Sequence, residues 1–184
     1  MGLLLVRTAL WSAVLILLSL AALQDMRARI IPNRLVLSVA AIGLLAGIID
    51  RPNALWLNFV LAFALLVGLG VLTHYDILGA GDAKMMAAVS LLAPPERIAM
   101  LLFAIVMMGG VLSSAYLILH HVLKQRRSTV ATSKTTAYTR WLRNERARIV
   151  TGESVPYAIA ILGGTAAYLV SELHQCLSVT SCSQ

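Results

Sequence analysis

Three of the eight acidic residues in this 184-residue chain fall at the same, inner end of long apolar segments: Asp25, Asp76 and Asp82. A carboxylate at the centre of hydrocarbon costs about 2.5–3.5 kcal/mol on insertion scales, so one kept there faces a cavity, a partner or a reaction. Asp82 follows Gly79-Ala80-Gly81, and two glycines two apart let backbones approach closely and take up conformations closed to other residues. Two facing carboxylates are the minimal device for hydrolysing a peptide bond without a metal or a nucleophile. Like charges a few ångströms apart do not both ionise, so such a pair holds one proton. The ionised member takes a proton from water, and the protonated member donates to the carbonyl oxygen. The pair titrates as a unit, so base and acid are not assigned to individual residues. Plainer readings stand beside this one. Asp82 can pair with Lys84 or snorkel to water, and Asp25 can pair with Arg27 or Arg29.

The elements that position these residues are written in the composition. Hydrophobic residues make up 59% and charged residues 12%, half the charge of a soluble domain of ordinary make-up. Mean hydropathy is +0.84. An ordinary cytosolic domain, a disordered chain and a disulfide scaffold are excluded on these figures. Six apolar segments are long enough, or nearly so, to cross a bilayer: Leu3 to Leu23, Ile31 to Ile49, Ala54 to Thr73, Ile77 to Ala93, Ile98 to His120 and Val155 to Leu173. The predicted fold is an all-α polytopic membrane bundle of about six transmembrane helices, one domain over 1–184 with a basic loop at 122–152. Of the 15 Lys and Arg residues, Arg7, Arg51 and Arg97 fall on one side of these spans and the rest on the other. The positive-inside rule then places both termini outside, and Asp25, Asp76 and Asp82 at the inner face. The first segment reads as a span rather than a cleaved leader, because its apolar run exceeds the h-region of a signal peptide.

At this point the residues match a family. Asp25-Met-Arg-Ala-Arg-Ile-Ile-Pro32-Asn33, followed by Gly79-Ala80-Gly81-Asp82-Ala83-Lys84, resembles the type IV prepilin peptidases, polytopic membrane aspartyl proteases with a GxGD motif. Val155-Pro156-Tyr157-Ala158-Ile159-Ala160 and Gly163 look like the family's final helix. The resemblance runs from about 18 to 170. It implies a peptidase that removes the short basic leader of prepilins or pseudopilins at the cytoplasmic face of the bacterial inner membrane. The cut falls after a Gly that precedes a hydrophobic helix. It implies Asp25 and Asp82 as the catalytic pair, with Gly79, Gly81, Lys84, Pro32 and Asn33 supporting the site. No CxxC is present and the first span starts almost at Met1, which resembles the short Flp/Tad-type members that lack the methyltransferase region. Ser90 stands where the family pattern leads one to expect a glycine.

Other residues are read more plainly. Asp76 follows Tyr75, a pair found in the other GxGD proteases, but there it lies on a separate helix; six residues from Asp82, it is taken as a loop carboxylate. Lys84 is expected chiefly to anchor a helix end, and Pro32 and Asn33 to set a helix start, with Asn33 bonding nearby backbone. Gly109-Gly110 and Gly163-Gly164 are expected to allow close helix contact. Asp50, Glu96, Glu145, Glu153 and Glu172 read as solvated loop charges. The four histidines lack metal spacing, so no metal or cofactor is expected. The basic loop points to anionic lipid, and no nucleic-acid pattern accompanies it. Cys176 and Cys182 fall in the outer tail, paired or unpaired. The rival to a peptidase is a small transporter or a pilus or secretion assembly protein, in which the carboxylates would relay protons or bind a cation.

Overall fold

A computed structural model of the chain describes residues 2–76, 78–125 and 157–181. Most of the basic loop expected at 122–152 lies outside them, as do Cys182 and the side chain of Cys176. Among the described residues there are six α-helices and no strands: α1 (Gly2–Ala28), α2 (Asn33–Asp50), α3 (Leu55–His74), α4 (Ala80–Ser90), α5 (Ile98–Gln125) and α6 (Tyr157–Ser181). Single 3-10 turns at Pro52–Ala54 and Pro95–Arg97 lead into α3 and α5. The chain divides into two compact units, Met1–Gly109 with Pro156–Gln184, and Gly110–Val155. The described part of the second is the end of α5 from Gly110 onward, where Ser114 Oγ donates to the Gly110 carbonyl at 2.7 Å.

Four stretches are long and apolar enough to cross a membrane: Val6–Ala28, Asn33–Asp50, Pro52–His74 and Pro95–Leu119. The protein is a helical membrane bundle. Its fourth apolar segment departs from the span expected at Ile77 to Ala93, because only the 11 residues of α4 are helical there. At 1.5 Å per residue, α4 is about 16 Å long, half a hydrocarbon core. An extended Gly79 starts it, and Pro94, with no N–H to offer, bars continuation beyond the turn at Leu91–Ala93.

This short helix sits at the centre of the unit. Met85, Val89 and Ser90 are fully enclosed, and Ala83, Met86, Ala87 and Ala88 nearly so, as suits a helix that is apolar almost all round. Val14 and Leu18 of α1, Val39 of α2, Leu101 and Ile105 of α5 and Ile161 of α6 form the same core. The Gly163-Gly164 pair does permit close contact. A Cβ on Gly164 would lie 2.4 Å from Ile105 Cα, so α5 and α6 meet backbone to backbone.

Two helices end in the left-handed region without glycine. Arg29, after α1, has φ 55, and its N–H returns to the Asp25 carbonyl at 2.9 Å. Asp76, after α3, has φ 56, a conformation that Asp tolerates better than most residues.

At the end of the unit remote from Asp25 and Asp82, the structure corrects the reading of Glu172 and Asp50 as solvated loop charges. Glu172 is 5% exposed. It is held by Arg97 and by Arg7 at 3.5 Å, and Arg7 also lies 3.5 Å from Asp50. The Arg7 guanidinium stacks over Trp11 at 4.4 Å. Nearby, Arg51 donates to the Leu92 carbonyl at 3.0 Å, and Asn58 donates to the Ala93 carbonyl at 3.1 Å. Carbonyls freed where α4 ends are thereby satisfied by side chains from other elements.

Candidate active site

Three segment ends converge around a cavity of about 520 Å³. The last turn of α1 brings Asp25, the start of α2 brings Pro32 and Asn33, and the first turn of α4 with its approach brings Gly79, Gly81, Asp82 and Lys84. All seven residues singled out in the sequence line this one cavity, together with Arg29, Ile30, Ile31 and Ala80. Asp76 does not line it. That residue is exposed in the turn after α3, in keeping with a loop carboxylate.

The two carboxylates are close enough for the charge of Asp25 to act on Asp82, but their settings differ. Asp25 is 8% exposed, and its Oδ2 accepts the backbone N–H of Ala158 at 3.4 Å. Ala158 is the second residue of α6, so this carboxylate meets the positive end of a helix dipole, which favours an anion. Asp82 lies in the first turn of α4, where that helix's own N-terminal dipole also favours an anion, but its carboxylate is less fully bonded. Its Oδ1 is buried without a hydrogen-bond partner, and a buried polar atom left unpaired is costly. One carboxylate is held while the other keeps an oxygen uncommitted beside the cavity. A water or a substrate carbonyl placed between them would find an acceptor and, with one proton on the pair, a donor.

The glycines do their work by close approach rather than by unusual dihedrals. Gly79 has φ −67 and ψ 137, ordinary extended backbone. A Cβ there would lie 2.8 Å from Asp82 Oδ2, and a Cβ on Gly81 would lie 3.2 Å from Ile31 Cβ. Gly79 thus leaves room for the carboxylate, and Gly81 lets α4 close on the segment leading to α2. The expectation of a special backbone conformation is corrected on this point at Gly79.

Lys84 and Asn33 also differ in detail from expectation. Pro32 is the N-cap of α2, and its carbonyl accepts the Leu35 N–H at 3.0 Å. The Asn33 side chain does not cap the helix. Its Oδ1 accepts a hydrogen bond from Lys84 Nζ at 3.5 Å, a link from α2 to α4 across the mouth of the cavity. Among the described residues no three His, Cys, Asp or Glu side chains gather as metal ligands.

Sequence reading missed the contribution of α6. Tyr157 packs against α5, where a Cβ on Gly109 would lie 2.7 Å from its Cε2, and it lies within electrostatic reach of Asp82. The next residue supplies the amide to Asp25. The Pro156-Tyr157 pair was visible in the sequence as a helix opening. A backbone N–H, however, carries no side-chain signature that would assign it to a carboxylate 133 residues away.

The model of the type IV leader peptidase family matches residues 12–114, a stretch that holds both Asp25 and Asp82. No curated protein and no solved structure matches the chain.

Proposed function

The chain belongs to the type IV leader peptidase family, and from that premise we propose that it is an aspartyl endopeptidase that removes the basic leader from type IV or Flp-type prepilins or pseudopilins. The observation that carries the reading is the convergence of Asp25 and Asp82, from separate helices, on one cavity. The seven-residue pattern of the two motifs supports it.

The reaction follows from the unequal settings of the pair. With one shared proton, the ionised carboxylate takes a proton from a water between them. The water oxygen bonds to the scissile carbonyl carbon, and the protonated carboxyl gives its proton to the carbonyl oxygen. The tetrahedral diol then collapses: the C–N bond breaks, the amine leaves with the proton held by the pair, and a diol hydroxyl returns its proton to the carboxylates as the C=O bond re-forms. Asp25, bonded to the α6 amide, is the positioned member, and Asp82 brings the uncommitted oxygen. Gly79 and Gly81 give Asp82 and α4 the room to approach, while Lys84 and Asn33 join α4 to α2 at the cavity mouth. The charge bias of the loops favours the cytoplasmic face of a bacterial inner membrane as the place of cleavage.

The test is cleavage of a co-expressed prepilin-like precursor, scored by gel mobility and N-terminal mass. Wild type, Asp25→Asn, Asp82→Asn and Asp76→Asn run side by side. Activity in wild type and Asp76→Asn alone upholds the reading. Failure of folded wild type on several precursors turns it toward a transporter or an assembly protein.

A further inference from the structure

The cavity that holds the carboxylates is not closed. Two of its lining residues, Asn33 and Lys84, also line a second hollow of about 470 Å³ between α2, α3 and α4. Beyond that polar junction the hollow is apolar. Its lining runs on α2 from Asn33 to Ala40, a length of about 10 Å or two helical turns. Ala40, Ala62, Ala87 and Ala88 contribute small side chains to it, while Phe59 and Phe63 stand along α3. Those two are 50% and 59% exposed, as are many apolar side chains of this membrane-spanning helix. What sets the groove apart is that it opens from the carboxylate cavity at Asn33 and Lys84.

Resting on the peptidase reading above, we propose that this groove seats the apolar helix of the precursor. A precursor whose bond is cut between Asp25 and Asp82 enters the cavity as a polar leader and leaves it as a hydrophobic helix. The groove is an apolar path from the carboxylates along α2, and it begins at the residues that bound the catalytic cavity. Its alanines let a helix backbone approach closely, the way helices associate in a membrane, and the Phe59 and Phe63 rings, one turn apart on α3, supply a lateral wall. The Lys84–Asn33 bond at 3.5 Å marks the junction: apolar substrate lies on one side of it and the scissile segment on the other.

The experiment places a photoreactive phenylalanine analogue at Phe63 or, as control, at Val170, which is 65% exposed on α6 and does not line the groove. Both are made in the Asp82→Asn chain, so that precursor is retained uncut. Crosslinking of precursor through its hydrophobic helix at Phe63 and not at Val170 is the expected result. In the otherwise wild-type chain, Phe63→Ser is expected to raise KM about tenfold and leave kcat within about twofold. Wild type that cleaves precursor, with Phe63 crosslinking lipid alone or both positions capturing precursor equally, would overturn the groove and leave the peptidase standing. Wild type that cleaves no precursor removes both.

Discussion

Buried carboxylates occur at both ends of this bundle, and they are treated in opposite ways. At one end Glu172, 5% exposed, is gripped by Arg97 and Arg7, and Arg7 reaches on to Asp50. At the other end Asp25, 8% exposed, shares a cavity with Asp82. Its direct hydrogen bond comes from a neutral amide, and Asp82 leaves an oxygen unpaired. The first arrangement cancels charge and ties α1, α2, α6 and the turn before α5 together. The second brings two carboxylates to one cavity, with the charge of Arg29 acting on Asp25. Buried carboxylates gathered in a cleft are a mark of functional sites, whereas a carboxylate paired with two guanidinium groups is a mark of architecture.

That contrast can be broken from either end. The largest effect is expected at the pair in the cavity. Asp25→Asn or Asp82→Asn should each lower initial cleavage rates at least about 10³-fold, within the range for general acid–base groups. The thermal midpoint in detergent should hold or rise, because like-charge repulsion is relieved. Next comes Glu172→Ala, which leaves Arg97 and Arg7 without their shared anion. It should cost about 3 kcal/mol, the low end for breaking a buried pair, because the side chains of Arg97 and Arg7 are 41% and 31% exposed. Equilibrium unfolding would read this loss, while cleavage per folded molecule stays within about twofold. Gly79→Ala sharpens the comparison further. Its Cβ would displace Asp82 Oδ2, at 2.8 Å the movable tip of a side chain, so kcat/KM should fall between about tenfold and a hundredfold with unfolding almost unchanged. The smallest effect is expected for Asp76→Asn, exposed and left-handed at φ 56. Asn tolerates that conformation as Asp does, and cleavage should remain within about twofold.

What was legible in the sequence follows the same division. Asp25, Pro32, Asn33, Gly79, Gly81, Asp82 and Lys84 could be read because their spacing is local and their types are chemically unusual against apolar neighbours; they reach one cavity. Helix number and approximate bounds were legible because apolar runs are long and the turns between them hold Pro, Gly or charge. Glu172 was misjudged. It lies at the edge of the apolar run, but α6 continues to Ser181, and its partners Arg7 and Arg97 come from distant chain positions that only packing brings near. The length of α4 was also misjudged, since hydropathy counts the apolar residues of the turn at Leu91–Ala93 as it counts helical ones. The Ala158 amide belongs to the backbone, on which residue types are silent.

The anchoring of α4 has one more consequence, and it concerns motion. Arg51 and Asn58 bond the Leu92 and Ala93 carbonyls beyond its C-terminal end, and enclosure falls from Ser90, fully buried, to Gly79 and Ala80, exposed. A short rod clamped at one end moves most at the other. The less enclosed end, held to α2 by the long Lys84–Asn33 bond at 3.5 Å, carries Asp82. Amide hydrogen exchange along α4 should therefore quicken from Val89 toward Ala83, with the slow half reporting the clamp. Substrate bound across the cavity would flatten that gradient, because it would restrain the end of α4 that carries Asp82.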